Sequence, residues 1–207
     1  MKVLLINGSP KAKGCTYTAL CEIAKELEKE NIETEIFHVG NQPIRGCMAC
    51  GGCNSTSGKC VFNDDTVNIA LEKAKEADGF IFGSPVHYAG ASGQITSFLD
   101  RFFYAGSSFQ YKPGAAIVSC RRGGSTAAFE QLNKYFTISN MPIVSSQYWN
   151  MVHGNTPDEV RQDLEGMQTM RTLGRNMAWL LKCINTGKEA GIELPEKEQR
   201  VATNFIR

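Results

Sequence analysis

The sequence predicts an α/β fold of the doubly wound type: a five-stranded parallel sheet in the order 2-1-3-4-5, with helices on both faces. Three observations carry that prediction. Short apolar runs alternate with amphipathic helical stretches along the chain. The first and third runs are hydrophobic throughout, as in parallel strands covered on both faces. The length, 207 residues, suits one large domain and leaves little room for a second core.

The elements follow in order. Lys2 to Asn7 is a buried strand ending at Gly8, and the stretch from Thr16 to Glu30 places Leu20, Ile23, Ala24 and Leu27 on one helical stripe. Glu33 to Val39 alternates as a second strand. Asp64 to Ala77 reads as a helix opened by an acidic cap, with Val67, Ala70, Leu71 and Ala74 facing inward. Gly79 to Gly83 is the third strand, Gln94 to Phe103 a helix, Ala115 to Cys120 the fourth strand, Ser125 to Phe136 a helix and Ile143 to Trp149 the fifth strand. Pro157 opens a long helix reaching about Asn185, whose stripe of Val160, Leu164, Met167, Met170, Leu173, Met177, Leu180 and Leu181 reads as core packing. Cys21 and Cys183 fall on apolar helical faces and are expected to be buried. The whole chain, 1–207, is read as a single domain with a cysteine-rich loop at 45–63 and a C-terminal helical extension at 157–207. Its last piece, Pro195 to Arg207, is either a short helix or a tail.

Composition narrows the function classes. Hydrophobic residues at 42% and charged residues at 21% are ordinary globular values, which disfavours disorder and fibrous repeats. Lys and Arg number 22 against 21 Asp and Glu, so no global field directs the chain to nucleic acid or an anionic membrane. No apolar run approaches the length of a membrane span, and the N-terminus turns polar too early for a signal peptide, so a cytoplasmic protein is expected.

In an open parallel sheet, ligands sit at the carboxyl ends of the strands, which directs attention to three loops. The first reads Gly8-Ser9-Pro10-Lys11-Ala12-Lys13-Gly14-Cys15-Thr16, with hydroxyls at both ends, two lysines and no carboxylate ahead of a helix. Uncapped N–H groups at a helix N-terminus favour a phosphate. The lysine spacing is not that of a Walker loop, and the glycines do not form G-x-G-x-x-G. A phospho-receiver would need acids where this chain has Asn7-Gly8-Ser9. The second loop, Ser84-Pro85-Val86-His87-Tyr88-Ala89-Gly90-Ala91-Ser92-Gly93-Gln94, combines a stiff exit, permissive glycines and planar side chains suited to lie along a flat ring. The third, Ser119-Cys120-Arg121-Arg122-Gly123-Gly124-Ser125-Thr126, presents two guanidinium groups and another glycine-opened helix.

Together with Phe98-Leu99-Asp100-Arg101, these loops resemble the NAD(P)H-dependent FMN reductase branch of the flavodoxin-like superfamily, over roughly residues 1–155. The resemblance implies FMN as a tightly held, non-covalent prosthetic group. By position, Ser9, Lys11, Cys15 and Thr16 would hold its phosphate. Pro85, Val86, His87, Tyr88 and Ala89 would follow the isoalloxazine, and Ser119, Arg121, Arg122, Gly123 and Gly124 would close the ring's polar edge. Positive charge there would stabilise an anionic reduced ring. The implied reaction is a ping-pong oxidoreduction from NAD(P)H through FMN to a small acceptor such as a quinone, nitro or azo compound or free flavin, with no catalytic acid or base required from the protein. The resemblance also implies a homodimer or tetramer. Part of the cluster Phe102, Phe103, Tyr104, Phe109 and Tyr111 is expected in that interface, and His153 is expected near the pocket.

The spacing Cys47-x2-Cys50-x2-Cys53-x6-Cys60 lies in a long loop between the second strand and the second helix. In a chain without an export signal, such a cluster reads as a metal or redox site rather than a disulfide framework. Four thiolates suit an iron–sulfur centre or zinc, and free thiols or a reversible disulfide shaping the loop remain a third reading. The pattern resembles iron–sulfur flavoproteins, which implies a 4Fe–4S cluster relaying single electrons between FMN and a ferredoxin-like partner. The alternative furthest from this is a flavin-free, zinc-stapled interaction domain.

Overall fold

A computed structural model describes residues 1–106, 109–199, 201–203 and 205. Among the described residues six strands and six helices follow one another: β1 (Lys2–Asn7), α1 (Cys15–Lys29), β2 (Glu33–His38), α2 (Val67–Lys75), β3 (Gly79–His87), β4 (Gly90–Ala91), α3 (Gly93–Ala105), β5 (Gly114–Cys120), α4 (Ser125–Ile138), β6 (Met151–His153), α5 (Pro157–Gln162) and α6 (Leu164–Glu189). A short 3-10 turn covers Gly52–Ser55. The main sheet runs β2-β1-β3-β5-β6, all parallel, with Ile6 opposite Phe37 on one side and Phe82 on the other.

The parallel order is the expected one, but the strand count is six rather than five. The extra strand is β4, which pairs antiparallel with the end of β3 through Val86 opposite Ala91 and His87 opposite Gly90. The third strand therefore does not stop at Gly83. It continues through Pro85 to His87 and turns back at Tyr88 and Ala89, both with positive φ, at 50° and 60°. The last strand also moves, from the expected Ile143–Trp149 to Met151–His153. Ile143 makes only an isolated bridge to Gly114. Between them the hydroxyl of Ser146 shares its one hydrogen between Tyr148 O at 2.6 Å and Asn150 Oδ1 at 2.7 Å, and the Asn150 amide donates to Ala116 O at 3.1 Å. A polar side chain fills the ladder position that the apolar pattern had promised to a strand.

Alternation along the strands divides the interior into two cores. Leu4, Ile6, Phe80 and Phe82 point to the face covered by α2, α3 and α4. Val3, Leu5, Ile81 and Ile117 point to the face covered by α1 and α6. On the first face Phe80, Phe82, Phe98, Phe102, Phe109 and Phe136 form a lattice of rings, with Phe102 and Phe109 stacked at 5.0 Å and Phe82 and Phe136 at 5.2 Å. Each such ring stabilises the fold by about 1.5–3 kcal/mol through burial. Phe102, Phe103 and Phe109 thus belong to the core, whereas Tyr104 is 69% exposed.

Three further expectations need correction. The long C-terminal helix is broken at Asp163, whose carboxylate accepts from Gly166 N at 3.0 Å and from His153 N at 2.6 Å, so it caps α6 and ties its start to β6. The second helix starts at Val67 rather than Asp64, because Asp65 Oδ1 accepts from Val67 N at 3.0 Å while its other oxygen is committed to Arg101. Cys21 is only half-buried and Cys183 is exposed, because the apolar stripe of α6 passes beside Cys183 rather than through it. The described residues from Pro195 onward carry no helix, and residues 200, 204, 206 and 207 lie outside the described residues.

Candidate functional site

The three loops singled out above meet at the carboxyl edge of the sheet and are bonded to one another. Ser92, the N-cap of α3, donates its hydroxyl to Gly8 O at 2.9 Å and its N–H to Ser84 Oγ at 2.9 Å, joining the first loop to the second. The hydroxyls of Thr16 and Ser119 lie 2.9 Å apart in a buried pair, joining the first to the third. The turn at Tyr88 and Ala89 rests on Gly124, which has φ 89° and where a Cβ would stand 2.7 Å from Ala89 Cα. Only glycine serves there.

Within the first loop, Asn7 at the end of β1 shapes the turn: Oδ1 accepts from Ser9 N at 3.1 Å and Nδ2 donates to Ala12 O at 3.0 Å. The buried Ser9 accepts from Lys11 N through its hydroxyl, and His38 Nε2 lies 2.7 Å from its carbonyl. Gly14 then opens α1 with no side-chain cap and no acid in the first turn. The helix end is left with N–H groups free to meet an anion. Burial pushes the half-buried Cys15 thiol up, so it stays neutral beside them. Cys120, pushed up the same way, lies 3.4 Å from His153 Nδ1. This donor set, with hydroxyls, uncapped N–H groups, Lys11 and no carboxylate, fits a phosphate.

Pro85 and Val86 are half-buried in β3, whereas His87, Tyr88 and Ala89 are exposed at its tip. Arg121, Arg122 and Gly123 are exposed, Gly124 is half-buried and Ser119 is buried. Asn7, His38, Ser84 and Ser92 were given no site role from the sequence, although Asn7, Ser84 and Ser92 lie in the loops it pointed to. Ser92 had a readable signal, a serine directly ahead of a helix, whereas Asn7 acts through turn contacts to Ser9 and Ala12, His38 through a contact 29 residues away and Ser84 through the β3 hairpin.

The four cysteines Cys47, Cys50, Cys53 and Cys60 line one cavity of about 300 Å³, together with Phe62, Arg101 and Tyr104. All four are free thiols. Among the described residues no three His, Cys, Asp or Glu side chains are grouped to hold a single metal ion. A multi-iron cluster takes one thiolate per iron, so its ligands surround a volume rather than meet at a point. Four thiols around a cavity, with a guanidinium at its wall, fit such a cluster in donor chemistry. Arg101 Nε donates to Cys60 Sγ at 3.3 Å, and Asn68 fixes the Cys60 backbone by accepting from its N at 2.8 Å and donating to its O at 2.9 Å.

The fold and the loop set define a flavin-binding oxidoreductase class, and comparison with known proteins agrees. The profile of the NADPH-dependent FMN reductase family matches residues 1–156. An iron–sulfur flavoprotein of Methanocaldococcus jannaschii is 34% identical, covering 89% of this chain and 99% of its own. An FMN-dependent NADPH-azoreductase of Staphylococcus saprophyticus is 35% identical over 56% of this chain and 59% of its own. In structure, a flavodoxin from the domain Archaea superposes with a TM-score of 0.60 at 16% identity, covering 88% of this chain and 99% of its own. The chain belongs to the NADPH-dependent FMN reductase family and, with it, to the NAD(P)H-dependent FMN oxidoreductases. Its cofactor is FMN, and the flavin-free reading is thereby overturned.

Proposed function

We propose that this chain is an FMN-dependent NAD(P)H oxidoreductase whose cysteine loop holds an iron–sulfur cluster and which passes electrons on singly to a ferredoxin-like partner. The observation that carries this reading is the convergence of all four cysteines on one cavity beside a buried guanidinium. The 34% identity to an iron–sulfur flavoprotein along nearly its whole length supports it.

FMN, when bound, supplies hydride acceptance from a nicotinamide and release of electrons one or two at a time, and a cluster supplies a one-electron relay. The chain's part is binding and electrostatics. Ser9, Lys11, Cys15 and Thr16 take the phosphate on the uncapped turn of α1, with the Thr16–Ser119 pair leaving one hydroxyl hydrogen to donate outward. Pro85, Val86, His87, Tyr88 and Ala89 form a wall whose hairpin geometry is set by Gly124. Arg121 and Arg122 place positive charge where the ring gains negative charge on reduction. The neutral thiols of Cys15 and Cys120 add none against the phosphate.

A second reading is supported by the azoreductase relative and by the exposed tip at His87 and Tyr88: a cluster-free, ping-pong reduction of a quinone, nitro or azo compound or flavin. The discriminating experiment is anaerobic purification and reconstitution with iron and sulfide. About four iron atoms and one FMN per chain, with the flavin bleached by NAD(P)H, is the expected result. A yellow protein that bleaches but takes up no iron leaves the ping-pong reading. Failure to retain or rebind FMN overturns both.

A further inference from the structure

Among the described residues Arg101 has the largest fully buried side chain, 1% exposed, in the last turns of α3. It donates from Nε to Cys60 Sγ at 3.3 Å, from Nη1 to Arg45 O at 3.3 Å, and from Nη2 to Phe62 O at 3.0 Å, and it is ion-paired with Asp65. Its partners bracket the cysteine loop: residue 45 precedes Cys47, and residues 60, 62 and 65 close the loop.

A buried arginine is a costly staple, because removing its charge from water takes several kcal/mol that neutral groups would not require. Three of its contacts are to strong oxygen acceptors. The fourth, Nε to sulfur, spends a charged donor on a weak one. Hydrogen bonds and positive charge at a ligand sulfur favour the reduced, more negative state of an iron–sulfur centre and fix the ligand's position. Cys60 is already held on both sides, its backbone by Asn68 and its sulfur by Arg101. Among the described residues, the other three cysteines make one hydrogen bond through sulfur, from Cys53 Sγ to Tyr104 O at 3.5 Å.

We propose that Arg101 is a positioning residue for the cluster: it presets Cys60 as the anchor ligand and raises the cluster's reduction potential through its Nε–H to sulfur bond. This rests on the cluster reading above and names a residue outside the four ligands. Full-length wild type, R101K and the charge-neutral pair R101Q/D65N are reconstituted with iron and sulfide, with FMN content as the control for folding. Cluster potential is read by an EPR-monitored redox titration, and loop order by amide hydrogen exchange over 45–65 in iron-free protein. The expected result is full FMN content in both variants, a potential more negative in R101Q/D65N than in wild type with R101K between them, and faster exchange over 45–65. A pair variant that keeps FMN but takes up no iron also supports the proposal, through loss of the preset ligand. If the pair variant loses FMN too, the result is read on R101K alone. Unchanged potentials at equal iron content overturn the proposal while leaving the cluster reading intact. Wild-type protein that takes up no iron overturns both, which separates the two failures.

Discussion

At the scale of single residues, the contact between Thr16 and Ser119 joins two loops through one hydrogen bond, and its value depends on what it leaves free. Two hydroxyls own two hydrogens, the pair consumes one, and the other is available to a phosphate oxygen. Thr16→Val removes that donor and leaves Ser119 unpaired. FMN affinity, measured by flavin fluorescence on titrating apo-protein, is expected to fall by about 10- to 100-fold, equivalent to about 1.5–3 kcal/mol for a bond to a charged group. Equal affinity in the variant would remove Thr16 from the phosphate site. Gly124→Ala tests the wall instead: the positive φ and the approach to Ala89 cost about 1–3 kcal/mol or force the hairpin tip to move. A lowered melting temperature is expected, together with weaker FMN binding. Single residues were unevenly legible. Ser9, Thr16 and the four cysteines stood out because loop position and spacing are local signals. Arg101 was visible only as the end of a motif, because a fully buried arginine is rare and nothing in sequence marks which one has found Asp65, 36 residues away.

At the scale of elements, α1 and α6 are held together by charge as well as by apolar stripes. Glu22 pairs with Arg171 and Glu26 with Arg175, each at 2.8 Å, and Lys182 reaches Glu30. Glu26 is itself buried, and the Lys29 ammonium, followed by the Arg175 guanidinium, holds its carboxyl below the usual range against the desolvation that opposes its charge. A carboxylate whose folded value lies below the unfolded one adds stability that is complete above about pH 4.3 and is lost as pH falls through the folded value. Glu26→Gln should therefore lower stability at pH 7 by on the order of 1 kcal/mol, discounted for the exposure of Lys29 and Arg175. Melting temperatures of the two proteins should converge on acidification, and parallel curves from pH 7 to pH 3 would contradict the assignment. Periodicity located all but one of the major helices within a few residues. It missed the break at Asp163 because an aspartate inside a helical stripe gives no sign that its carboxylate will cap the next helix and bind the His153 backbone. Asp163→Ala should cost about 1–2 kcal/mol through the lost cap.

At the scale of the whole molecule, α3 connects two chemistries. Its N-terminus, at Ser92 and Gly93, is bonded to the loops of the proposed flavin site, and its other end, at Arg101, Tyr104 and Ala105, walls the cysteine cavity. From Gly93 to Tyr104 the helix rises about 16 Å. Gln94 Nε2 donates to Gly40 O at 2.6 Å, so the chain leaving β2 is pinned at the N-terminal end of α3 before it runs along the helix to the cysteines. The sequence placed the cysteine loop between β2 and α2 but not at the far end of α3, because that depends on how a long irregular loop drapes over a helix joined to it only in space. This separation makes the two sites independently removable. Cys50→Ser, at an exposed cysteine of the proposed cluster loop, is expected to abolish iron uptake while leaving FMN content, flavin affinity and bleaching by NAD(P)H at wild-type levels. The coupling between them should show only in onward transfer: reduction of a one-electron acceptor such as a ferredoxin drops in the variant, and reduction of a small two-electron acceptor at the exposed flavin rim does not. Loss of flavin from Cys50→Ser would mean that the cysteine loop also shapes the flavin site, and the two ends of α3 would then have to be treated as one.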